Sequence, residues 1–341
     1  MTDSLKTNMG EATAPDNMKS IDCSIVIPVY FNEGSLLPTL ETIEREVIAK
    51  NPERVFEVIF VDDGSGDGSL DVLLEVQRQK PRLVRVIKLT RNFGQVNALL
   101  AGFSIARGRC VIPISADMQD PPQLMNDMLQ AFFSEGYEVV ICQRAGRDES
   151  WYRAVTSRIF YWLMRRLCFR NMPLGGFDYV LLGRRSIDFL VRSREAHPFF
   201  QGQVLWPGFK TKFLEYHRRE RLHGKSRWTF WMKLTALLDG VIAYSYFPIR
   251  CMSVIGILVA LLGFLYAAIV LGARLLVGNP IQGWAPLMIV ILMLGGLQLV
   301  TIGVVGEYLW RVLAQARGRE LFIIDAIYSS EPDANENSSN T

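Results

Sequence analysis

The chain has 341 residues, a formal net charge of +3 and five cysteines that form no CxxC pair. This length suggests two domains, or one domain with an added module, and the cysteine spacing excludes a disulfide framework or a zinc site. The three histidines also lack metal-ligand spacing, so we expect structural or surface roles for them.

Residues 1–20 are polar and lack the apolar core of a signal peptide, so we expect a disordered amino-terminal tail. Region 21–225 alternates short β-rich runs with amphipathic segments of helix length. The runs, in chain order, are SIVIPV, FEVIFV, VRVIKL, CVIPIS and EVVICQ. This alternation predicts an α/β domain with a mainly parallel sheet and helices on both faces.

Charged and polar residues follow the predicted strands. The segments concerned are PVYFNE, DDGSGDGS, TRNFGQ, SADMQDPP and RAGRDESW. In open sheets of this type, ligands bind beyond the carboxyl ends of the strands, so the segments predict one polar ligand site. Carboxylate oxygens there suit Mg²⁺ or Mn²⁺, and such an ion would neutralise a nucleoside diphosphate.

Three familiar motifs are suggested by the sequence but incomplete. DDGSGDGS lacks the GxGxxG pattern, and its two leading carboxylates would repel a pyrophosphate. As a calcium loop starting at Asp63, it would need glutamate at its twelfth position, which is Leu74. GKS at 224–226 lacks the earlier glycine of a phosphate-binding loop, because that position is Arg219.

A basic stretch precedes the apolar part of the chain. From Lys212 to Lys233 there are seven basic residues against two acids. Beside a membrane segment, such a cluster favours anionic lipid headgroups over nucleic acid, so we expect no nucleic-acid partner. Region 226–250 mixes aromatic and apolar residues with a few charges, which predicts an interfacial amphipathic helix.

Two long uncharged runs follow, at 251–273 and 275–306. Each is long enough to cross a bilayer of about 30 Å as a helix, so we predict a transmembrane hairpin over 251–312; two buried core helices are the alternative. Basic residues flank the hairpin on both outer sides, which places the front of the chain and the tail 313–341 in the cytoplasm, on a multi-pass inner (cytoplasmic) membrane protein. Small residues in the hairpin would permit close packing between protomers of a homo-oligomer.

Six segments between residues 22 and 325 carry a likeness to a known family. They are SIVIPVYFNEGSLLPTL, VIFVDDGSGDGSLDVL, RNFGQVNALLAGFSIARG, SADMQDPPQ, QRAGRDESWYRAVTSRIFY and HGKSRWTFWMKL. Together they resemble the family 2 glycosyltransferases, most closely the polyprenyl-phosphate branch with its dolichyl-phosphate mannose synthases and bactoprenol glucosyltransferases. The resemblance implies a GT-A sheet that binds a nucleotide sugar and passes the sugar, with inversion, to a membrane-borne lipid phosphate.

The resemblance also implies a substrate-binding set at the ends of the first three strands. Its members are Pro28, Tyr30, Glu33, Asp62, Asp63 and Arg91. Asp62 and Asp63 would hold the base or the ribose.

A metal site is implied by the segment that follows the fourth strand. Asp117 matches the metal-binding acid of the family's DADLQD motif, and Gln119 follows closely. The first acid of that motif is Ser115 here, so the site has one carboxylate fewer and we expect weaker metal affinity. Helix capping by Asp117 is the alternative role.

Four further positions are candidates for catalysis or phosphate binding. Arg144 follows the fifth strand, where its guanidinium could bind phosphate oxygens. Lys225 and Arg227 match a family loop that closes over donor and acceptor phosphates, although the segment could instead anchor the chain to the membrane surface. Asp178 matches an acid near the acceptor. A base or positioning role and structural pairing with Arg184 or Arg185 both stay open.

The expected reaction is glucosyl transfer from UDP-glucose to undecaprenyl phosphate for cell-envelope glycans; other sugars and nucleotides stay open. A processive polysaccharide synthase is one alternative, but the usual QxxRW motif is missing because Gly224 precedes Arg227 by three positions. A catalytically silent membrane protein that binds a nucleotide sugar is the other, and Ser115 motivates it.

Overall fold

The structure is a computed structural model that describes residues 20–144, 161–173, 176–193, 195, 198–216, 240–277 and 284–330. The strands are β1 (Cys23–Val29), β2 (Phe56–Asp62), β3 (Val84–Leu89), β4 (Cys110–Pro113), β5 (Val139–Arg144), β6 (Tyr179–Gly183), β7 (Thr211–Tyr216) and β8 (Ile324–Tyr328). The helices are α1 (Leu36–Ile43), α2 (Ser69–Gln79), α3 (Gln95–Ile105), α4 (Leu124–Phe133), α5 (Arg184–Arg192), α6 (Phe200–Leu205), α7 (Phe247–Val277) and α8 (Trp284–Ala316).

All eight strands form one sheet in the order β7-β5-β6-β4-β1-β2-β3-β8. The central strands β4, β1, β2 and β3 run parallel, β6 is antiparallel to β4 and β5, and β7 is parallel to β5. The five predicted strands are therefore confirmed. Every residue of β2 is buried, as expected for a strand covered by helices on both faces.

The core lies on both faces of the sheet because successive side chains of a strand point in opposite directions. On one face, Ile25 and Ile27 of β1 pack with apolar residues of α1, α2 and α4. On the other face, Val26 packs with α3, α5 and α6. The two apolar layers fix the parallel strands side by side, so the carboxyl ends of β1, β2 and β3 lie at one edge.

A strand that the sequence analysis did not anticipate closes one side of the sheet. After the apolar hairpin the chain returns as β8, which pairs antiparallel with β3. Lys88 on β3 forms an ion pair with Asp325 on β8 at 2.5 Å, and the Ser330 hydroxyl donates to the Pro81 carbonyl at 2.7 Å. Part of region 313–341 thus belongs to the α/β sheet.

The two apolar helices α7 and α8 have 31 and 33 residues. Within them, Phe247–Tyr266 and Met293–Ala316 are long and apolar enough to cross a membrane, and neither stretch is buried in the protein. This exposure argues against the alternative of buried core helices. Helix α7 begins at Phe247, four residues before the predicted start at Cys251. Most of the predicted interfacial helix, residues 226–239, lies outside the described residues; residues 240–244 are helical.

Candidate active site

Hydrogen bonds join the loops that follow β1 and β2. The Phe31 amide donates to the Ser65 hydroxyl at 3.2 Å, and the Asn32 amide donates to the Ser69 hydroxyl at 3.0 Å. The Glu33 carboxylate accepts the Gly68 amide at 3.1 Å. Glu33 therefore links the two loops, and any contact with substrate would come in addition to this link.

Asp63 joins the loop after β2 to the loop after β3. Its carboxylate accepts the amides of Phe93 at 2.7 Å and Gly94 at 2.9 Å. Gly64 lies at the closest approach, with a φ of +72°, and an added Cβ would come within 2.8 Å of the Arg91 and Asn92 backbone. Only glycine fits this position without strain, so the two loops are in direct contact.

Asp62 and Asp63 are both buried carboxylates, with 1% and 3% exposure. Burial raises the pKa of each, and for Asp63 the hydrogen bonds from Phe93 and Gly94 oppose that rise. For Asp62 the opposing contact is with Ser65, whose amide it accepts at 3.2 Å. Among the described residues neither carboxylate forms an ion pair. Such groups favour neutral donors, like the N–H of a base or a ribose hydroxyl, over further negative charge.

Three other predicted substrate-binding residues lie near this pair. Tyr30 directly follows β1 and is 38% exposed, and Pro28 is partly buried within that strand. Arg91 is exposed, and its guanidinium stacks on the Phe93 ring at 4.0 Å. The three loops thus bring the six predicted substrate-binding residues to one edge of the sheet.

The turn after β4 contains backbone strain. Met118, between Asp117 and Gln119, has a φ of 58°, and Phe31 in the first loop has a φ of 57°. A non-glycine residue with positive φ costs about 1–3 kcal/mol, and such residues cluster at functional sites. Strain therefore occurs in two of the predicted ligand loops.

Three side-chain hydroxyls hold this turn in place. Thr39 on α1 donates to the Ala116 carbonyl at 3.1 Å. Tyr216, the last residue of β7, donates to the buried Asp120 carboxylate at 2.6 Å, and Tyr179 on β6 donates to the Pro121 carbonyl at 3.3 Å. We call Thr39, Tyr216 and Tyr179 the hydroxyl clamp. Contacts on both sides of Asp117 explain how the turn keeps its strained backbone.

The side-chain oxygens of Asp117 and Gln119 are suitable ligands for the predicted divalent cation. Gln119 is 7% exposed, and among the described residues its Oε1 is buried without a hydrogen-bond partner. The backbone amide of Gln119 donates to Asp117 Oδ1 at 3.3 Å, so the two residues belong to one turn. The described residues contain no cluster of three His, Cys, Asp or Glu. An orphaned amide oxygen and one carboxylate suit an ion such as Mg²⁺ that takes its other ligands from substrate and water.

Asp178 lies just before β6 and is exposed. Its carboxylate accepts Gln201 Nε2 at 3.4 Å, and the same nitrogen donates to the Phe177 carbonyl at 2.7 Å. The predicted alternative of pairing with Arg184 or Arg185 is wrong. Arg184 pairs with Asp188 at 2.8 Å, and Arg185 stacks on Phe209 at 5.2 Å. Arg184 thus pairs within α5, and Arg185 contacts a ring that follows α6.

Of the three predicted cationic residues that remain, the structure describes one. Arg144 ends β5, where its backbone is opposite Tyr216 of β7. Lys225 and Arg227 lie outside the described residues.

Sequence reasoning missed the hydroxyl clamp and Gln201. Asp120 was visible in the motif SADMQDPP, but its partner Tyr216 is 96 residues away. The only local signal was the β-like run TKFLEY, which forms β7.

Comparisons with known proteins agree with this geometry. The model of the family described as glycosyl transferase family 2 matches residues 24–189, which span β1 to α5. The uncharacterized glycosyltransferase YkcC of Bacillus subtilis is 37% identical over 314 residues, covering 92% of this chain and 96% of the relative. The chain belongs to glycosyl transferase family 2. It is therefore a glycosyltransferase, and the sheet and the family together confirm the predicted GT-A-type α/β fold class.

Other family 2 relatives carry a more specific name. The bactoprenol glucosyl transferase of Shigella phage SfII is 33% identical over 310 residues, covering 91% of this chain and 99% of the relative. This agrees with the predicted polyprenyl-phosphate branch and, together with α7 and α8, supports membrane association.

Among solved structures, the Pyrobaculum calidifontis mannosyltransferase PcManGT, determined with GDP-Man and Mn²⁺, aligns with a TM-score of 0.45 and 17% identity over 67% of this chain and 65% of its own. That similarity is too low to support an inference about ligands.

Proposed function

We propose that the protein transfers glucose, with inversion, from UDP-glucose to undecaprenyl phosphate. The observation that carries this proposal is the similarity to a bactoprenol glucosyl transferase over 91% of this chain and 99% of that relative. An alignment of this extent includes both the loops at the sheet edge and the apolar hairpin.

The donor nucleotide would bind at the carboxyl ends of β1, β2 and β3. Asp62 and Asp63 present buried carboxylates that form no ion pair among the described residues. Base N–H groups or ribose hydroxyls would supply the missing donors, and hydrogen bonds to charged groups contribute about 1.5–3 kcal/mol. Tyr30 and Arg91 lie at the rim of the same edge, where they would contact the base and the phosphates.

The diphosphate would bind at the Asp117 turn. Asp117 and Gln119 would hold Mg²⁺ or Mn²⁺, and a bound divalent ion stabilises negative charge on a leaving diphosphate. We assign Arg144, Lys225 and Arg227 the role of fixed cations that contact phosphate oxygens. Such preorganised charges act where negative charge develops in the transition state.

In the reaction, an oxygen of the lipid phosphate bonds to the anomeric carbon while the bond from that carbon to the diphosphate breaks. The diphosphate leaves with the bonding electrons. The second pKa of a phosphate monoester is near about 6, so the nucleophile is already ionised at neutral pH and needs no strong base. Asp178, held by Gln201, would orient the acceptor or take its remaining proton.

We place this transfer on the cytoplasmic face of the inner membrane. The support is the hairpin α7–α8 together with basic residues on both outer sides of it. The acceptor phosphate would then approach from the bilayer surface, next to residues 240–250.

The test is sugar transfer by the full-length protein in detergent. A panel of labelled nucleotide sugars is combined with undecaprenyl phosphate, with and without EDTA. We expect lipid-linked product from one donor and loss of that product with EDTA. Asp117→Asn should lower the rate about 100- to 1,000-fold, as expected when transition-state charge loses its stabilisation.

Asp71→Asn is the matched control, because Asp71 is an exposed residue in the first turn of α2. It should leave the rate unchanged. Nucleotide binding without transfer from any donor would favour the silent protein, and unchanged turnover in Asp117→Asn would refute the metal site.

A further inference from the structure

A cavity of about 450 Å³ lies away from the donor loops. Its walls come from α5, α6 and the helical residues 240–244. Two wall residues, Ala243 and Tyr244, precede the start of α7 at Phe247 by four and three positions. Next to them, Tyr246 is 77% exposed and Phe247 is 52% exposed, like aromatic residues of a membrane interface. The cavity therefore lies close to the membrane surface.

This cavity is separate from the surroundings of Asp178. Gln201 and Gln203 are two positions apart on α6, and residues at that spacing lie on different faces of a helix. Gln201 donates to Phe177 and Asp178, whereas Gln203 lines the cavity and donates to the Ser193 hydroxyl at 3.4 Å. Helix α6 thus separates the two places.

Two side chains of the cavity, Glu195 and Gln203, present acceptor oxygens. Ser193 donates to Glu195 at 3.5 Å, and Tyr244 donates to the other oxygen of Glu195 at 3.1 Å. Gln203 is 1% exposed, yet its Oε1 is buried with no hydrogen-bond partner among the described residues. A buried acceptor without a donor costs about 1–3 kcal/mol, so a ligand that brings a donor would recover this energy.

The cavity also contains charges of both signs. Arg192 and Glu195 both line it, and among the described residues neither forms an ion pair. Trp206 forms another wall, stacks on Phe189 at 5.7 Å and remains 62% exposed. An exposed indole face attracts a cation. A guanidinium and a carboxylate that form no ion pair among the described residues, together with an aromatic wall, match a zwitterion.

We propose that this cavity binds the headgroup of a phosphoethanolamine lipid. The phosphate would contact Arg192, and the ammonium would donate to Glu195 and to Gln203 Oε1 beside the Trp206 ring. An ionised polyprenyl phosphate has no donor for Gln203, so the acceptor substrate does not satisfy the site. A phosphocholine headgroup has the same charges but no N–H, which makes it a matched control ligand. This proposal does not depend on the identity of the sugar or of the acceptor.

The experiment measures lipid binding to the full-length protein in detergent by native mass spectrometry. Phosphatidylethanolamine and phosphatidylcholine with identical acyl chains compete at equal concentrations. We expect the ethanolamine lipid to be bound at least about fivefold more, because it adds charge-assisted hydrogen bonds to buried acceptors.

Gln203→Leu separates binding from folding. Leucine has a similar size and removes the orphaned oxygen, so the variant should be as stable as the parent or more stable. It should nevertheless show a weaker preference for the ethanolamine lipid, since one of the two acceptors of the ammonium is gone. Glu195→Gln should weaken the preference as well, whereas Glu41→Gln, at an exposed position on α1, should preserve it.

Three outcomes would overturn the proposal. One is equal binding of both lipids by the parent protein. Another is a preference that Gln203→Leu leaves unchanged. The last is displacement of the lipid by soluble O-phosphoethanolamine at equal concentration, which would identify a metabolite site instead. Displacement only at far higher concentration supports the lipid headgroup.

Discussion

Strand β2 has buried carboxylates at both of its ends, and their surroundings differ. At the amino end, Glu57 is 2% exposed and accepts the Ser24 hydroxyl at 2.5 Å, the Arg107 amide at 2.7 Å and the Arg85 guanidinium at 3.3 Å. At the carboxyl end, Asp62 and Asp63 accept backbone amides, and among the described residues no ion pair neutralises them. The amino end is satisfied within the protein, whereas the carboxyl end retains acceptors for a ligand.

This difference separates a structural network from a binding site. A buried charge with a cation and several donors needs nothing further, and its removal affects folding. Buried acids whose pKa is raised by desolvation are unfavourable in the empty protein and gain from donors that a ligand supplies. We therefore expect variants at the two ends of β2 to affect different measurements.

The largest effect on stability is expected from Glu57→Gln. The substitution leaves Arg85, which is 6% exposed, without its buried counter-charge, and such losses cost about 3–5 kcal/mol. Chemical denaturation of the full-length protein in detergent measures this effect. Glu53→Gln is the control, because Glu53 pairs with Arg54 at a largely exposed position and should cost at most about 1 kcal/mol. Equal losses of unfolding free energy in the two variants would contradict the structural role of the amino end of β2.

Tyr216→Phe is expected to have an intermediate effect. It acts on the turn after β4, at the same edge of the sheet as the carboxyl end of β2. It takes one hydrogen bond from the buried Asp120 carboxylate and loosens the turn that carries Asp117, at a cost of about 1–3 kcal/mol. The metal concentration for half-maximal transfer should rise about tenfold, with the maximal rate largely retained. Tyr137→Phe is the control, since that ring packs against Lys210 and Lys212. If Tyr216 had only a structural role, the Tyr216→Phe variant would lose stability and its metal dependence would equal that of the parent protein.

A smaller effect is expected at Met118, where the φ of 58° is unfavourable for any side chain with a Cβ. Met118→Gly should raise the free energy of unfolding by about 1 kcal/mol, and the β-branched Met118→Val should lower it by a similar amount. Urea denaturation of the two variants compares them at one position. If both shift stability in the same direction, the turn does not store backbone strain.

The smallest effect is the pH dependence of Asp62→Asn. Burial raises the pKa of Asp62, so the folded protein binds this proton more tightly than the unfolded chain does. The cost of the charged form is absent below the unfolded pKa of about 3.9 and grows as the pH rises through the folded pKa. Asp62→Asn should therefore raise the Tm slightly at pH 7 and leave it unchanged at pH 3. A lower Tm at pH 7 would mean that the ionised carboxylate is stabilising.

Local sequence patterns predicted the five β-rich strands because short β-rich runs alternate with segments of helix length and end in turn signals. They also predicted the two long helices, since uncharged runs of that length have few alternatives. Strands β6, β7 and β8 were not predicted. TKFLEY alternates charged and apolar residues inside a basic stretch, and IDAIY pairs with a strand more than two hundred positions earlier in the chain.

The candidate site shows the same limit. Asp62, Asp63 and Asp117 were visible because they follow apolar strands at one sheet edge. Thr39 and Gln201 were not visible, because their partners are distant in sequence and only the folded chain brings them together. The roles of the predicted substrate and metal residues stay predictions until binding is measured.

The most direct test of the central claim is a crossed comparison of Asp62→Asn and Glu57→Gln. Both proteins are measured for UDP affinity by calorimetry and for stability by denaturation, under conditions where each is folded. We predict that Asp62→Asn loses about tenfold in UDP affinity with no loss of stability, because a hydrogen bond to a charged acceptor becomes a neutral one. Glu57→Gln should lose stability and retain the parent affinity. The same loss of UDP affinity in both variants, or a loss only in Glu57→Gln, would contradict the assignment of the donor site to the carboxyl end of β2.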